Sequence, residues 1–195
     1  MTPEFLVEER LKQHGHRALQ ELDSYWHGLA VRGDLPKRAE VDPAAIQDAL
    51  EFAFIADRVG RSHARFRVAG GAISGVVGTE VAGLPLSTLL HHGSRATLDA
   101  ALARCFAGRL LLELTLGTRP DRTGQTATAT LRLYPLLGAR GEVGHLLGAF
   151  VATSGGGNHL SRFDVTDMRE TPWTNCTVPA RPRQTGHLRL VIDNT

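Results

Sequence analysis

Gly70 to Gly78 is a segment of this 195-residue chain whose residue types suggest chemistry, because a glycine-rich turn after a strand can cradle phosphate. Gly70 and Gly75 stand at the separation of a phosphate-binding loop, but Val76 and Val77 occupy the positions that need Lys and Ser/Thr. Without those residues there is no cation for the phosphates and no hydroxyl for magnesium. The dinucleotide pattern also fails, since Ala72 replaces its second glycine and no βαβ unit follows. Close backbone packing is the reading these glycines support.

The nine histidines raise metal and haem chemistry. His14 and His16 lie two apart and point to different sides of a helix, while the adjacent His91 and His92 do not easily face one centre. No carboxylate completes a helical metal pair around them. One of His91 or His92 would suffice as a single haem ligand; helix-end or surface positions are the ordinary alternative. Of the two cysteines, Cys105 falls in a helical pattern and reads as a buried thiol, and Cys176 sits in a Pro/Thr/Asn-rich stretch. Neither metal-type spacing nor a disulfide framework results. There is no Gly-x-Ser-x-Gly elbow, and Asp57, Glu80 and Glu113, the acids available for an acid/base pair, each have a solvated alternative. The expectation is a protein that is not an enzyme, with no metal ligands and with any cofactor unknown.

Composition narrows the class. Hydrophobic residues make up 42% and charged residues 22%, the balance of a folded globular domain rather than a disordered chain. A formal charge of +2 with interspersed acids lacks the basic stripe of a nucleic-acid binder, and Arg181-Pro182-Arg183 reads as a solvated tail. Neither a signal peptide nor a membrane-spanning window is present, so a cytoplasmic location is expected.

The elements that would position these residues change period along the chain. Residues 1–30 read as an amphipathic helix with Leu11, Ala18, Leu22, Tyr25 and Leu29 on one stripe and Gly15 in its gap. That stripe packs either on its own domain or across a homodimer, in which case deleting residues 1–30 leaves a monomer. Arg32 to Pro36 stops the helix, and Asp42-Pro43 caps a short helix through Leu50. Strand candidates follow at Glu51–Asp57 and His63–Ala69, then small helical pieces over 70–90 and a longer helix over Ser94–Ala107. Leu110–Leu116, Thr126–Tyr134 and Val143–Ala152 read as an antiparallel meander with one packed and one wet face. A Gly155–Gly157 run opens a loop-rich tail, 154–195, with a late strand candidate at Leu188–Ile192. The fold class is α+β: a five-stranded antiparallel sheet with helices on one face, plus the N-terminal helix and the tail.

Within residues 20 to 153, several phrases carry a resemblance: Tyr25-Trp26-His27-Gly28-Leu29, Leu35-Pro36-Lys37-Arg38-Ala39-Glu40-Val41-Asp42-Pro43, Phe54-Ile55-Ala56-Asp57 and Arg65-Phe66-Arg67-Val68-Ala69-Gly70. Gly78-Thr79-Glu80, Gly83-Leu84-Pro85-Leu86 and Leu146-Leu147-Gly148-Ala149 continue it. The chain resembles the short, stand-alone PAS-domain proteins of alphaproteobacteria. The resemblance implies a PAS-like domain over 31–153 and a sensory or regulatory role, with output through an unidentified signalling partner or through dimerisation.

In such an arrangement the inner sheet face and the short helices enclose a core able to hold a small molecule. Its expected lining is Phe54, Phe66, Val68, Ile73, Leu86, Leu112, Leu114, Leu131, Leu133 and Leu147, with Arg67, Tyr134 and His145 orienting the ligand. The alternative is a filled core in a ligand-free dimeric adaptor. Neither nucleic acid nor membrane is expected as a partner.

Overall fold

A computed structural model describes residues 3–30, 34–120, 124, 126–153 and 162–173, with side chains from residue 13 onward. The expected Leu188–Ile192 strand, Arg181-Pro182-Arg183, Cys176, the Gly155–Gly157 run and the Leu11 side chain lie outside the described residues.

β1 (Ala53–Val59) and β2 (His63–Ala69) form a hairpin, and β3 (Leu110–Gly117), β4 (Thr128–Leu137) and β5 (Val143–Thr153) form the meander. Apolar residues build the strands, alternating in β2 and β3 and nearly continuous in β1 and β5. β5 returns to pair with β1, which joins the two halves. A further strand, β6 (Asp164–Pro172), pairs antiparallel with β3, so the order is β2-β1-β5-β4-β3-β6. The sheet therefore has six strands, one more than the sequence pattern suggests. β6 escaped that pattern because it is an edge strand rich in charge, with only Val165 and Met168 packed against the core. Its hold on the domain is polar: Arg104 donates to Glu170 at 2.9 Å, and Ser94 Oγ donates to Asp164 at 3.1 Å.

Helices cover both faces. α2 (Gly71–Val77) ends at Gly78, whose φ of 76° favours a residue without Cβ. α3 (His92–Gly108) lies on what we term the inner face, burying Leu98, Leu102, Cys105 and Phe106. Burial pushes the Cys105 thiol up to about 12, so it is an inert core group rather than a nucleophile. α1 (Pro3–Leu29) lies on the opposite, outer face against β5. Ala18, Leu22, Trp26 and Ala30, spaced by fours, are all 0–1% exposed, and Tyr25 and Leu29 flank them half-buried. A Cβ on Gly15 would stand 2.2 Å from Val151 Cγ1, so the glycine lets the helix approach β5 closely. Trp26 Nε1 donates to the Pro135 carbonyl at 3.1 Å, and Tyr134 donates its hydroxyl to Asp23 at 2.9 Å.

From residue 15 onward the N-terminal stripe is thus spent on its own sheet. This also corrects the expectation of a wet meander face. Leu133 to Leu137 on β4 and Leu146 to Val151 on β5 are buried continuously, because α1 dries the side that alternation alone would leave in water.

Between α1 and β1 the chain makes two 3-10 turns, Arg38–Glu40 and Pro43–Ala49. Asp42 caps the second by accepting from the Ala44 N–H at 2.9 Å, with Pro43 at its first position, as the sequence suggests. Ile46 leaves helical geometry at φ −130°, a kink that divides this 3-10 segment into two short pieces. Among the described residues, no helix is long and apolar enough to cross a membrane.

Candidate ligand site

Cross-strand register sorts the expected ligand-lining residues onto two opposite faces. One row runs Phe54–Gly148–Leu133–Leu112 across β1, β5, β4 and β3. This is the inner face, and it also carries Phe66, Leu114 and Leu131 beneath Ile73 and Leu86. These residues are between 0 and 2% exposed. Phe54 meets Phe66 edge to face at 5.0 Å and occupies the space a Gly148 side chain would need, with Phe54 Cζ 2.3 Å from a Cβ there. The inner core is closely filled by its own side chains.

The other row runs Val68–Ile55–Leu147–Tyr134 on the outer face. Phe66 and Val68 are two apart, and strict alternation would put them together. A bulge opposite the Ile55/Ala56 step makes Arg67 the extra residue, so Phe66 pairs with Ala56 and turns in while Val68 pairs with Ile55 and turns out. Of the thirteen residues expected to line one site, Arg67, Val68, Tyr134, His145 and Leu147 therefore lie on a different face from the rest. Phe54 of the inner set nevertheless borders the same cavity as Val68 and Leu147 of the outer set.

The outer row opens into a groove. The 3-10 turns form one wall and β1–β2 the other, enclosing about 240 Å³ lined by Arg38, Ile46, Leu50, Ile55, Val68 and Leu147. Ile46 is buried beneath the turn, whereas Leu50 and Val68 remain 40% and 53% exposed, two of the few large apolar side chains left in water. Val68 lies on β2, the edge strand among the described residues. Arg38 brings the polar chemistry. Its Nε is buried without an acceptor, and its guanidinium makes neither hydrogen bond nor ion pair with a described residue. An unmet buried donor costs about 1–3 kcal/mol. Sequence reading passed over Arg38 and Ile46 because nothing in their local pattern says which sheet face the turn covers; the Asp42-Pro43 cap was the only available signal.

One strand step beyond the groove, on the same face, Asp57 joins two residues expected to orient a ligand. His145 Nδ1 donates to Asp57 Oδ1 at 2.7 Å, and Arg67 donates to Asp57 Oδ2 at 3.0 Å. Tyr134 is instead committed to Asp23 beneath α1. Partial burial pulls the Asp57 pKa up, but the hydrogen bonds and charges of His145 and Arg67 outweigh it and hold the carboxyl below its ordinary value. A depressed folded pKa adds stability that is complete above the unfolded value and is lost as pH falls through the folded one. Asp57→Asn is accordingly expected to cost under about 1 kcal/mol at neutral pH, since the pair is partly exposed to solvent. The gap between the urea midpoints of wild type and variant should shrink below about pH 4. A gap that stays constant from pH 6 to pH 3 would remove Asp57 as its source.

The other expected chemistry is dispersed. Glu113 pairs with Arg132 on β3–β4, Glu80 accepts from the Ala82 N–H, and Asp57 lies three strands from Glu113, so these acids form no pair with one another. His91 precedes α3, with its N–H bound to the Phe163 carbonyl. Among the described residues no three His, Cys, Asp or Glu side chains gather where a metal ion could sit.

A family model described as "PAS domain" matches residues 14–151. No curated protein matches the chain. Similar solved structures include a Light-Oxygen-Voltage domain studied with a flavin analogue, 19% identical over 57% of this chain and 84% of that one, with a TM-score of 0.40. The light-state Aureochrome1 LOV structure is 13% identical, covering 57% and 88%, with a TM-score of 0.39. The Rhodobacter sphaeroides LOV protein is 14% identical, covering 73% and 70%, with a TM-score of 0.41.

Proposed function

The chain belongs to the PAS-domain family, and on that premise we propose that it is a sensory or regulatory module that takes a small, largely apolar ligand in its outer-face groove. The observation that carries this reading is the contrast between the two faces. The inner residues are filled to 0–2% exposure, while the outer row opens about 240 Å³ between the 3-10 turns and β1–β2. Small-molecule sites are concave and mostly apolar, with few polar groups, and the groove has that character.

A route from ligand to output is built into the groove wall. The Tyr25 hydroxyl on α1 accepts from the Asp42 N–H at 2.6 Å and donates to the Glu40 carbonyl at 3.4 Å. Occupancy that shifts the 38–50 wall therefore pulls on α1, the element we assign to contact with a signalling partner.

The test uses the full chain, isotopically labelled and titrated with 1-octanol as a neutral apolar probe. Amide shifts are expected at residues 38–55, 68–70 and 147, and they should vanish in Val68→Trp, whose exposed position tolerates a ring that fills the groove. Shifts centred instead on Ile73, Leu86 and Leu133 would move the ligand to the inner core. No saturable shift at either place would overturn ligand sensing and favour a protein-contact role.

A further inference from the structure

Resting on that reading of the groove, we infer that its ligand is a small organic acid, held with its carboxylate on Arg38 and its apolar body along Ile46, Leu50, Ile55, Val68 and Leu147. The side chains lining the groove are apolar except for Arg38, a cation whose Nε is buried without an acceptor among the described residues.

The acids nearest Arg38 in sequence do not neutralise it. Glu40 turns its carboxylate to the Lys37 N–H at 2.7 Å, and Asp42 turns its own to the Ala44 N–H at 2.9 Å. Both are consumed in capping the 3-10 turns that hold Arg38 over the groove. Asp57, the acid on the adjoining stretch of sheet, is likewise committed to His145 and Arg67. With these acids serving other donors, and with no ion pair to a described residue, the guanidinium keeps its charge and its planar fork for an outside partner. A carboxylate matches that fork with two parallel hydrogen bonds, which a neutral hydroxyl cannot do. A free small molecule fits better than a polymer, because the groove encloses only about 240 Å³.

The experiment compares octanoate with 1-octanol, equal in chain length and different in head group, by calorimetric or NMR titration of the full chain at neutral pH. Octanoate is expected to bind roughly tenfold or more tightly than the alcohol, as a charge-assisted pair in a partly dry site requires. In Arg38→Met, which keeps the apolar stem, the two probes should bind within about twofold of each other. Equal binding of both probes to the wild type would overturn the acid assignment while leaving the groove as a ligand site. Binding of neither would overturn the groove itself. A preference for octanoate that persists in Arg38→Met would also overturn the assignment, by placing the recognising charge elsewhere. Unchanged amide spectra of Arg38→Met away from residues 36–50 establish that the variant is folded.

Discussion

Gly70→Ala is expected to lower stability by about 3 kcal/mol, at the upper end of what overpacking usually costs. The melting temperature should fall by roughly 10 °C. The backbone dihedrals at Gly70 suit any residue, so the cause is contact alone. A Cβ there would stand 2.1 Å from the Leu50 carbonyl oxygen and 2.2 Å from that of Glu51. Both obstacles are backbone, and neither can rotate away. Relief requires separating the 50–53 segment from the start of α2, which breaks the bonds from Gly70 N to the Ala53 carbonyl and from Ala72 N to the Glu51 carbonyl. Leu50 and Gly70 both line the groove, so the variant should also lose octanol binding. Gly71→Ala is the control: nothing lies within 4 Å of its Cβ, and the extra methyl in the first turn of α2 should be neutral or slightly stabilising. Equal melting temperatures for Gly70→Ala and Gly71→Ala would show that the close approach is not the constraint.

Trp26→Ala should cost about 3–5 kcal/mol, the range for emptying a buried aromatic site. The indole is fully buried, crosses Trp173 edge to face at 5.0 Å and lies 5.6 Å from the Tyr134 ring. It also supplies the donor for the Pro135 carbonyl. Trp26→Phe separates these contributions, keeping most of the packing and leaving that carbonyl unmet, for a cost nearer 1–2 kcal/mol. Urea unfolding followed by far-UV circular dichroism reads both variants. If Trp26→Ala lost less than 1 kcal/mol, α1 would be a detachable helix rather than part of the core. The same geometry changes what a truncation reports. Deleting residues 1–30 strips Leu22 and Trp26 from the sheet and is expected to unfold the domain, so it cannot by itself read out a dimer.

Much of this architecture is written locally. Alternation marks Leu110–Leu116 and Thr126–Tyr134, because a period of two admits no other regular element, while turn residues bound the hairpin strands and the mostly apolar run Val143–Ala152. Asp42-Pro43 announces its turn, since a cap acts within three residues. The missing Lys and Ser/Thr after Gly75 remove the phosphate loop with no reference to structure. These features depend on near neighbours in the chain, and sequence determines them.

The choice of face was decided only in three dimensions. Alternation says that Leu133 and Tyr134 point apart, but not which of them meets α3 and which meets α1. One bulged residue, Arg67, reverses parity between Phe66 and Val68 and so divides a single expected site into an inner core and an outer groove. β6 was invisible because an edge strand held by Arg104 and Ser94 needs no apolar period. Arg38 gained its significance from what the folded chain leaves undone. The carboxylates next to it in sequence meet other donors, and the absence of a partner among the described residues is a property of the assembled structure that no local sequence pattern records.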